Sequence, residues 1–248
     1  MDFTILIVCL VSFVLSFIFA LGGVGSALAL IPALSWVGLP FAQARSVGLF
    51  VNGISMLGAT YSNIKNKRLD FRLGIPIIIA SIILAPVGAW ASHLIPTRYM
   101  LIVFISFLCF SGMMMLFFKG SKYANQYRED RPVIGPLLVG IVAGFLSGLL
   151  GVGGGGVISP LMILQGFNPK KVATITALSV PFSSLAAFIT YALMGSVPWD
   201  ILIFAGIAAW IGGYLGTIVM HQKMHPATVK KFLGSVILLL ALRLIFTL

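Results

Sequence analysis

Two glycine-valine-glycine steps interrupt otherwise apolar sequence: Gly23-Val24-Gly25, and Gly151-Val152-Gly153 at the head of the run Gly151-Val152-Gly153-Gly154-Gly155-Gly156. In lipid, backbone released from helical bonding is tolerated only where protein or a polar cavity satisfies it again. A doubled glycine break in hydrophobic sequence therefore points to a transporter's binding site. The segments that follow, 26–39 and 155–167, are short. At about 1.5 Å per residue they reach about 20 Å, against a hydrocarbon core of about 30 Å. A short helix starting after a glycine turn aims free N–H groups and the positive end of its dipole at the turn, which suits an anion. The candidate donors are the backbone N–H groups of Gly23, Gly25, Gly153, Gly154 and Gly155, with the hydroxyls of Ser26 and Ser159 nearby. Close helix packing is the competing role for such glycines. Duplication, four successive glycines and the short segments behind them weigh toward a site.

The segment after each break carries a second signal. Arg45, Gly48, Asn52, Ser55, Ala59 and Ser62 recur at helical spacing and form one small or polar stripe on an apolar helix. Thr176, Ser179, Ser183, Ala186 and Thr190 repeat it in the second half, around Pro181. Both stripes are expected to face the bundle interior, where Asn52, Ser55, Thr176 and Ser179 would line a pathway or bind helices together. Arg45 opens its segment as a cation that either attracts an anion or snorkels to the headgroups. Asp70 and Asp200 occupy matching positions between segments and read as helix caps. No acidic residue lies deep in an apolar run, so an internal carboxylate proton relay has no candidate. His93, His221 and His225 stand at segment ends without a ligand cluster, and Cys9 and Cys109 sit singly in apolar sequence. No metal site, no cofactor and no catalytic residue is expected.

These residues must be positioned by membrane helices. The 248 residues are 60% hydrophobic and only 8% charged, with a mean hydropathy of +1.12, so the solvent of the outer surface is the lipid bilayer. The net charge of +11 does not signal nucleic acid, because Lys and Arg fall in short blocks between apolar runs. Apolar segments run over 3–20, 26–39, 46–62, 73–92 and 99–118, then over 133–150, 155–167, 172–191, 200–220 and 229–248. A register of 128 residues pairs Gly23 with Gly151, Gly25 with Gly153, Pro32 with Pro160 and Ser46 with Thr174; a register of 130 then pairs Asp70 with Asp200. One unit has been duplicated.

Charge decides how the halves are oriented. If each glycine break turns the chain back on itself, thirteen cations fall on one side: Lys65, Lys67, Arg68 and Arg72, then Lys119, Lys122, Arg128 and Arg131, then Lys170, Lys171, Lys223, Lys230 and Lys231. Only Arg45 and Arg98 fall on the other, with Arg243 left inside the last segment. If each broken region crossed once, the division would be eight against seven, so the positive-inside bias selects the reading in which each break turns the chain back, as a helical pair or a re-entrant hairpin. Each half then crosses an odd number of times, which turns the second half upside down relative to the first. The expectation is an all-α membrane protein, a polytopic helical bundle of two inverted repeats with about 8–10 membrane segments, including glycine-broken short or re-entrant helices. The first repeat occupies 1–118, a cytoplasmic linker 119–131, and the second repeat 132–248. The chain would be multi-pass in the cytoplasmic membrane with both termini outside.

With its prolines and flanks, the glycine break (Gly22-Gly23-Val24-Gly25-Ser26 to Pro32, and Gly151 through Gly156 to Pro160, followed by Ala44-Arg45-Ser46 or Val172-Ala173-Thr174) resembles the TauE/SafE sulfite exporter family from about residue 5 to 245. The resemblance implies transport of sulfite, sulfonates or other small organic or sulfur-containing anions across the cytoplasmic membrane. The reading is therefore a transporter working by alternating access, with a small anionic substrate and the lipid bilayer as partners. A homo-oligomer is among the oligomeric states left open. Its rivals are an anion channel lined by the same stripes and a non-transporting scaffold subunit docking through its basic loops.

Overall fold

The computed structural model describes residues 3–117, 129–195, 197–223 and 226–246. Among them all regular structure is helical: α1 (Phe3–Ala20), α2 (Ala27–Trp36), α3 (Phe41–Lys65), α4 (Phe71–Ala91), α5 (Thr97–Phe117), α6 (Ile134–Leu150), α7 (Gly155–Leu164), α8 (Pro169–Leu193), α9 (Trp199–Lys223) and α10 (Pro226–Ile245). Each of the ten expected apolar segments corresponds to one helix. Most of the expected linker, and both chain ends, lie outside the described residues.

Four helices are long and apolar enough to cross a membrane among the described residues: Phe71–Leu94, Thr97–Phe117, Lys170–Leu193 and Trp199–Gln222. Ile79, Ile83 and Trp90 on α4 and Ile203 and Ile207 on α9 point outward and are exposed, while Ser16, Asn52, Thr176 and Ser183 are fully buried. Polar inside and apolar outside is the distribution that lipid, not water, stabilises. The chain is a multi-pass membrane protein. Helix α3 can carry its polar stripe because it lies at the centre, packed on α8 and α9; Arg45, Gly48, Asn52, Ser55, Ala59 and Ser62 are all buried. The stripe of α8 is buried through Ser183 and half-exposed at Ala186 and Thr190.

The packing is unchanged when the halves are exchanged. Helix α1 packs on α9 as α6 packs on α4, α3 on α9 as α8 on α4, and α2 on α10 as α7 on α5; the pairs α3–α8 and α5–α10 map onto themselves. Small residues allow the closest approaches. A Cβ on Gly88 would strike the Phe145 carbonyl of α6, and one on Gly148 the Ala85 carbonyl of α4, so these glycines serve close packing.

The direction of the helices shows the inversion. The end of α3, the starts of α4, α6 and α8, and the end of α9 meet at one face, where Lys67, Asp70, Arg131, Lys171 and His221 line a single basin. Helix α3 thus finishes where its counterpart α8 begins, and α4 begins where its counterpart α9 finishes. The α6–α7 pair turns back on itself: a Cβ on Gly135, at the start of α6, would lie 2.7 Å from the Gln165 side chain just after α7, so the pair starts and ends on the basic side.

Candidate functional site

Both glycine turns converge on one side chain. Asn52 stands eleven residues from the start of α3 and thirteen from its end, close to mid-depth, and is fully buried. Its Oδ1 accepts from the backbone N–H of Ala27 at 3.3 Å, and its Nδ2 donates to Ser184 Oγ of α8 at 2.9 Å. Gly25 (φ +88°) and Gly153 (φ +76°) have left-handed backbone, and a Cβ on either would run into Asn52. Gly155 touches the first turn directly, since its Cβ would strike the Val24 carbonyl. Among the described residues, no acceptor is bonded to the N–H groups of Gly25 and Ser26 in one turn or Val152, Gly153 and Gly154 in the other. These donors are all buried, and free backbone N–H groups at the start of a helix are the kind that suit an anion.

The remaining candidates occupy distinct places. Gly23 packs on Ala173 of α8, and Gly154 sits near Ser183. The hydroxyl of Ser26 accepts from Ser16 of α1 at 3.2 Å, and Thr176 pairs with Ser159 at 3.2 Å, seating α7 on α8. Ser55 faces Gly213 of α9, and Ser179 faces Gly74 of α4; both hydroxyls are buried and unpartnered, and neither joins the cluster around Asn52. Ser184, outside the expected stripe, does join it, and Ser183 approaches the Gly153 carbonyl at 3.5 Å. The sequence signal for Ser184 is slight: it neighbours a stripe residue.

Arg45 does not snorkel. It is 8% exposed, with its guanidinium carbon 5.2 Å from the Phe41 ring centre and 5.1 Å from that of Tyr191. Its Nη1 donates to the Leu149 carbonyl at the end of α6 at 3.3 Å, and the side chain lies against Gly151. Tyr191, which sequence reasoning missed, donates from its hydroxyl to the Gly148 carbonyl at 2.9 Å and pairs with Ser92 at 2.9 Å.

The opposite end is the basic basin, a cavity of about 770 Å³ lined by Lys67, Arg68, Arg72, Arg131, Lys170 and Lys171 together with Asp70 and His221. Asp70 makes no cap bond to its helix; its Oδ2 instead pairs with Arg131 Nε at 3.1 Å and Lys171 Nζ at 3.0 Å, joining the two halves. Burial alone would raise the Asp70 pKa, but the hydrogen bonds and charges of Lys171 and Arg131 outweigh it and hold the carboxyl below its ordinary value. Asp200 lies exposed in the first turn of α9. His221 Nε2 meets Asn63 Oδ1 at 3.1 Å. No group of three or more His, Cys, Asp or Glu that could hold a metal ion occurs among the described residues.

Comparison with known proteins places this arrangement in a family. The chain is 26% identical to a "Probable membrane transporter protein YunE" of Bacillus subtilis, over 99% of this chain and 98% of that protein. It is 25% identical to a "Probable membrane transporter protein MJ0441" of Methanocaldococcus jannaschii, over 92% and 90% respectively. Over 44% of this chain and 24% of that protein it is 30% identical to "Sulfite exporter TauE/SafE family protein 6" of Arabidopsis thaliana. No solved structure matches it. The family profile described as sulfite exporter TauE/SafE matches residues 8–244, nearly the full length, and with two glycine-broken helical halves behind that match the chain belongs to this family of membrane transporters.

Proposed function

We propose that the chain carries small sulfur-containing or organic anions, sulfite and organosulfonates foremost, across the cytoplasmic membrane by alternating access. The observation that supports this reading is the meeting of both glycine turns on Asn52 at mid-depth, with unpartnered N–H groups of Gly25, Ser26, Val152, Gly153 and Gly154 around it. Inverted-repeat carriers hold substrate at the repeat interface near the bilayer midplane, between broken helices whose N-terminal ends face an anion. The basic basin is the cytoplasmic mouth by the positive-inside bias, and its cations concentrate anions there. With that assignment both termini lie outside.

Full burial of Asn52 and of both glycine turns supports a carrier with an occluded centre over an open pore. The test is uptake of radiolabelled sulfite and sulfoacetate into proteoliposomes of the purified chain. Saturable flux accelerated by anion on the far side is expected, and Gly153→Leu abolishes it while still inserting. Conductance without saturation would replace the carrier by a channel, and absence of flux for every anion would leave a scaffold. Unchanged flux in Gly153→Leu would remove the glycine turns from the site.

A further inference from the structure

Arg45 is a buried cation without a counter-ion. Arginine stays protonated in proteins, and burying a lone charge is costly unless something of opposite sign meets it. Asp70 pairs with Arg131 and Lys171 at the far, basic face, and no ion pair among the described residues involves Arg45. What Arg45 has instead is two aromatic rings under its guanidinium carbon, Phe41 and Tyr191, and one carbonyl, Leu149 O, taken by Nη1. Its Nε is buried and unpartnered. With Nη1 engaged, the edge formed by Nε and Nη2 remains, one of the two with which arginine presents parallel N–H groups to two oxygens of a single acid group.

A purely structural role does not account for this arrangement. The 128-residue register places Ala173 at the position equivalent to Arg45, and the equivalent contact is made there without charge: Gly23 rests on Ala173 as Gly151 rests on Arg45. Closing the tip of a turned-back helix pair against the long helix of the other half therefore needs only a small side chain. The tip of α6 is also held without Arg45, because the Tyr191 hydroxyl donates to the Gly148 carbonyl and pairs with Ser92.

We propose that Arg45 is the charge-recognition residue for the transported solute, binding a small, singly charged oxyanion such as a sulfonate or bisulfite through its Nε–Nη2 edge at the end of the molecule opposite the basic basin. This rests on the anion-transport reading above and adds to it the residue that recognises the solute's charge and the single negative charge that it favours. The single guanidinium balances one negative charge. The guanidinium carbon stands over the Phe41 and Tyr191 rings at 5.2 Å and 5.1 Å, apolar contacts that hold the cation without neutralising it, and Nε is left for the ligand. The Leu149 carbonyl keeps Nη1 occupied, so the ligand meets a fixed two-point edge instead of a mobile cation.

The experiment measures sulfite flux in proteoliposomes for the wild type, Arg45→Gln and Arg45→Lys, with methanesulfonate and the neutral methanesulfonamide as competitors. In the wild type methanesulfonate competes and methanesulfonamide does not. Arg45→Gln raises KM for sulfite at least tenfold and removes the discrimination between the two competitors, which a packing role alone would not do. Arg45→Lys, which keeps the charge and loses the two-point edge, gives an intermediate KM. If Arg45→Gln does not elute as a folded, monodisperse protein, Arg45→Lys carries the test. A KM and a competitor preference equal to the wild type in whichever variant folds would overturn the proposal while leaving anion transport in place. A wild type that moves no anion would instead overturn the transport reading, and this inference with it.

Discussion

Substituting Gly153 with alanine separates backbone strain from crowding at the centre of the molecule. Gly153 and Gly38 both have left-handed backbone, φ +76° and +103°, but a Cβ on Gly38 meets nothing within 4 Å, whereas one on Gly153 strikes Asn52 and lies 2.8 Å from Ser184 Oγ. Gly38→Ala therefore reports strain alone, about 1–2 kcal/mol. Gly153→Ala adds overpacking of about 1–3 kcal/mol in an interior that cannot expand, for a total of about 2–5 kcal/mol. Asn52→Ala by itself orphans the Ala27 N–H and removes the bond to Ser184, a loss of about 1–3 kcal/mol. In the double variant Asn52→Ala/Gly153→Ala the main obstacle to the new Cβ is gone. Its cost falls short of the sum of the singles by at least about 1 kcal/mol, beyond the roughly 0.3–0.5 kcal/mol within which independent sites add. The assay is unfolding in mixed micelles for the four variants and the wild type, read beside transport. Equal costs for Gly38→Ala and Gly153→Ala, or strict additivity in the double variant, would refute the placement of Asn52 against the second glycine turn.

Two further outcomes follow from the ends of the bundle. Cysteines introduced at Lys67 and Lys170 in a chain cleared of Cys9 and Cys109 react with an impermeant reagent from the same side of the membrane, since both line one basin; labelling from opposite sides would contradict the inverted packing. The Asp70 carboxyl is held below its ordinary value, so the stability that its pairs with Lys171 and Arg131 contribute is complete above about pH 4 and is lost as pH falls through the depressed pKa. Thermal unfolding of Asp70→Asn lies below that of the wild type at neutral pH, and the gap narrows in acid; a gap that persists or widens there would contradict this linkage.

The helices, the duplication and the inversion were legible because each leaves a periodic or counted signal: apolar runs, a 128-residue register, a thirteen-to-two division of cations. The stripe on α3 was legible as a buried face, but which neighbour each residue meets was not. Spacings of three and four spread the stripe over a broad arc, and α3 is enclosed on several sides, so Asn52 turns to the glycine turns while Ser55 turns to α9. Ser184 and Tyr191 escaped notice because their partners, Asn52 and Gly148, lie 132 and 43 residues away and meet them only through helix packing. Asp70 does take the N-cap position of α4, but its carboxylate serves Lys171 and Arg131 instead of the helix, because position between helices is visible in the sequence and the approach of the second half is not.

The two halves share a backbone plan but not a charge plan, and the difference falls at the two mouths. The register that pairs Arg45 with Ala173 also pairs Lys171 with Gln43, so among the described residues the basic face has an ion pair that the opposite face lacks, and the opposite face has a buried arginine that the basic face lacks. In the proposed cycle, exchanging the conformations of two inverted halves converts an inward-open form into an outward-open one at little backbone cost, because each half adopts a shape the other already has. The side chains then decide which form prevails. Asp70 with Lys171 and Arg131 ties the two halves together at the basic basin through opposite charges, whereas Arg45 meets one carbonyl and two rings, contacts with which the proposed anion would compete. A ligand shifts such an equilibrium only by its difference in affinity for the two forms. Under the proposal for Arg45, an unpaired buried cation at one end and a paired carboxylate at the other would supply that difference, with the higher affinity for an anion on the Arg45 side.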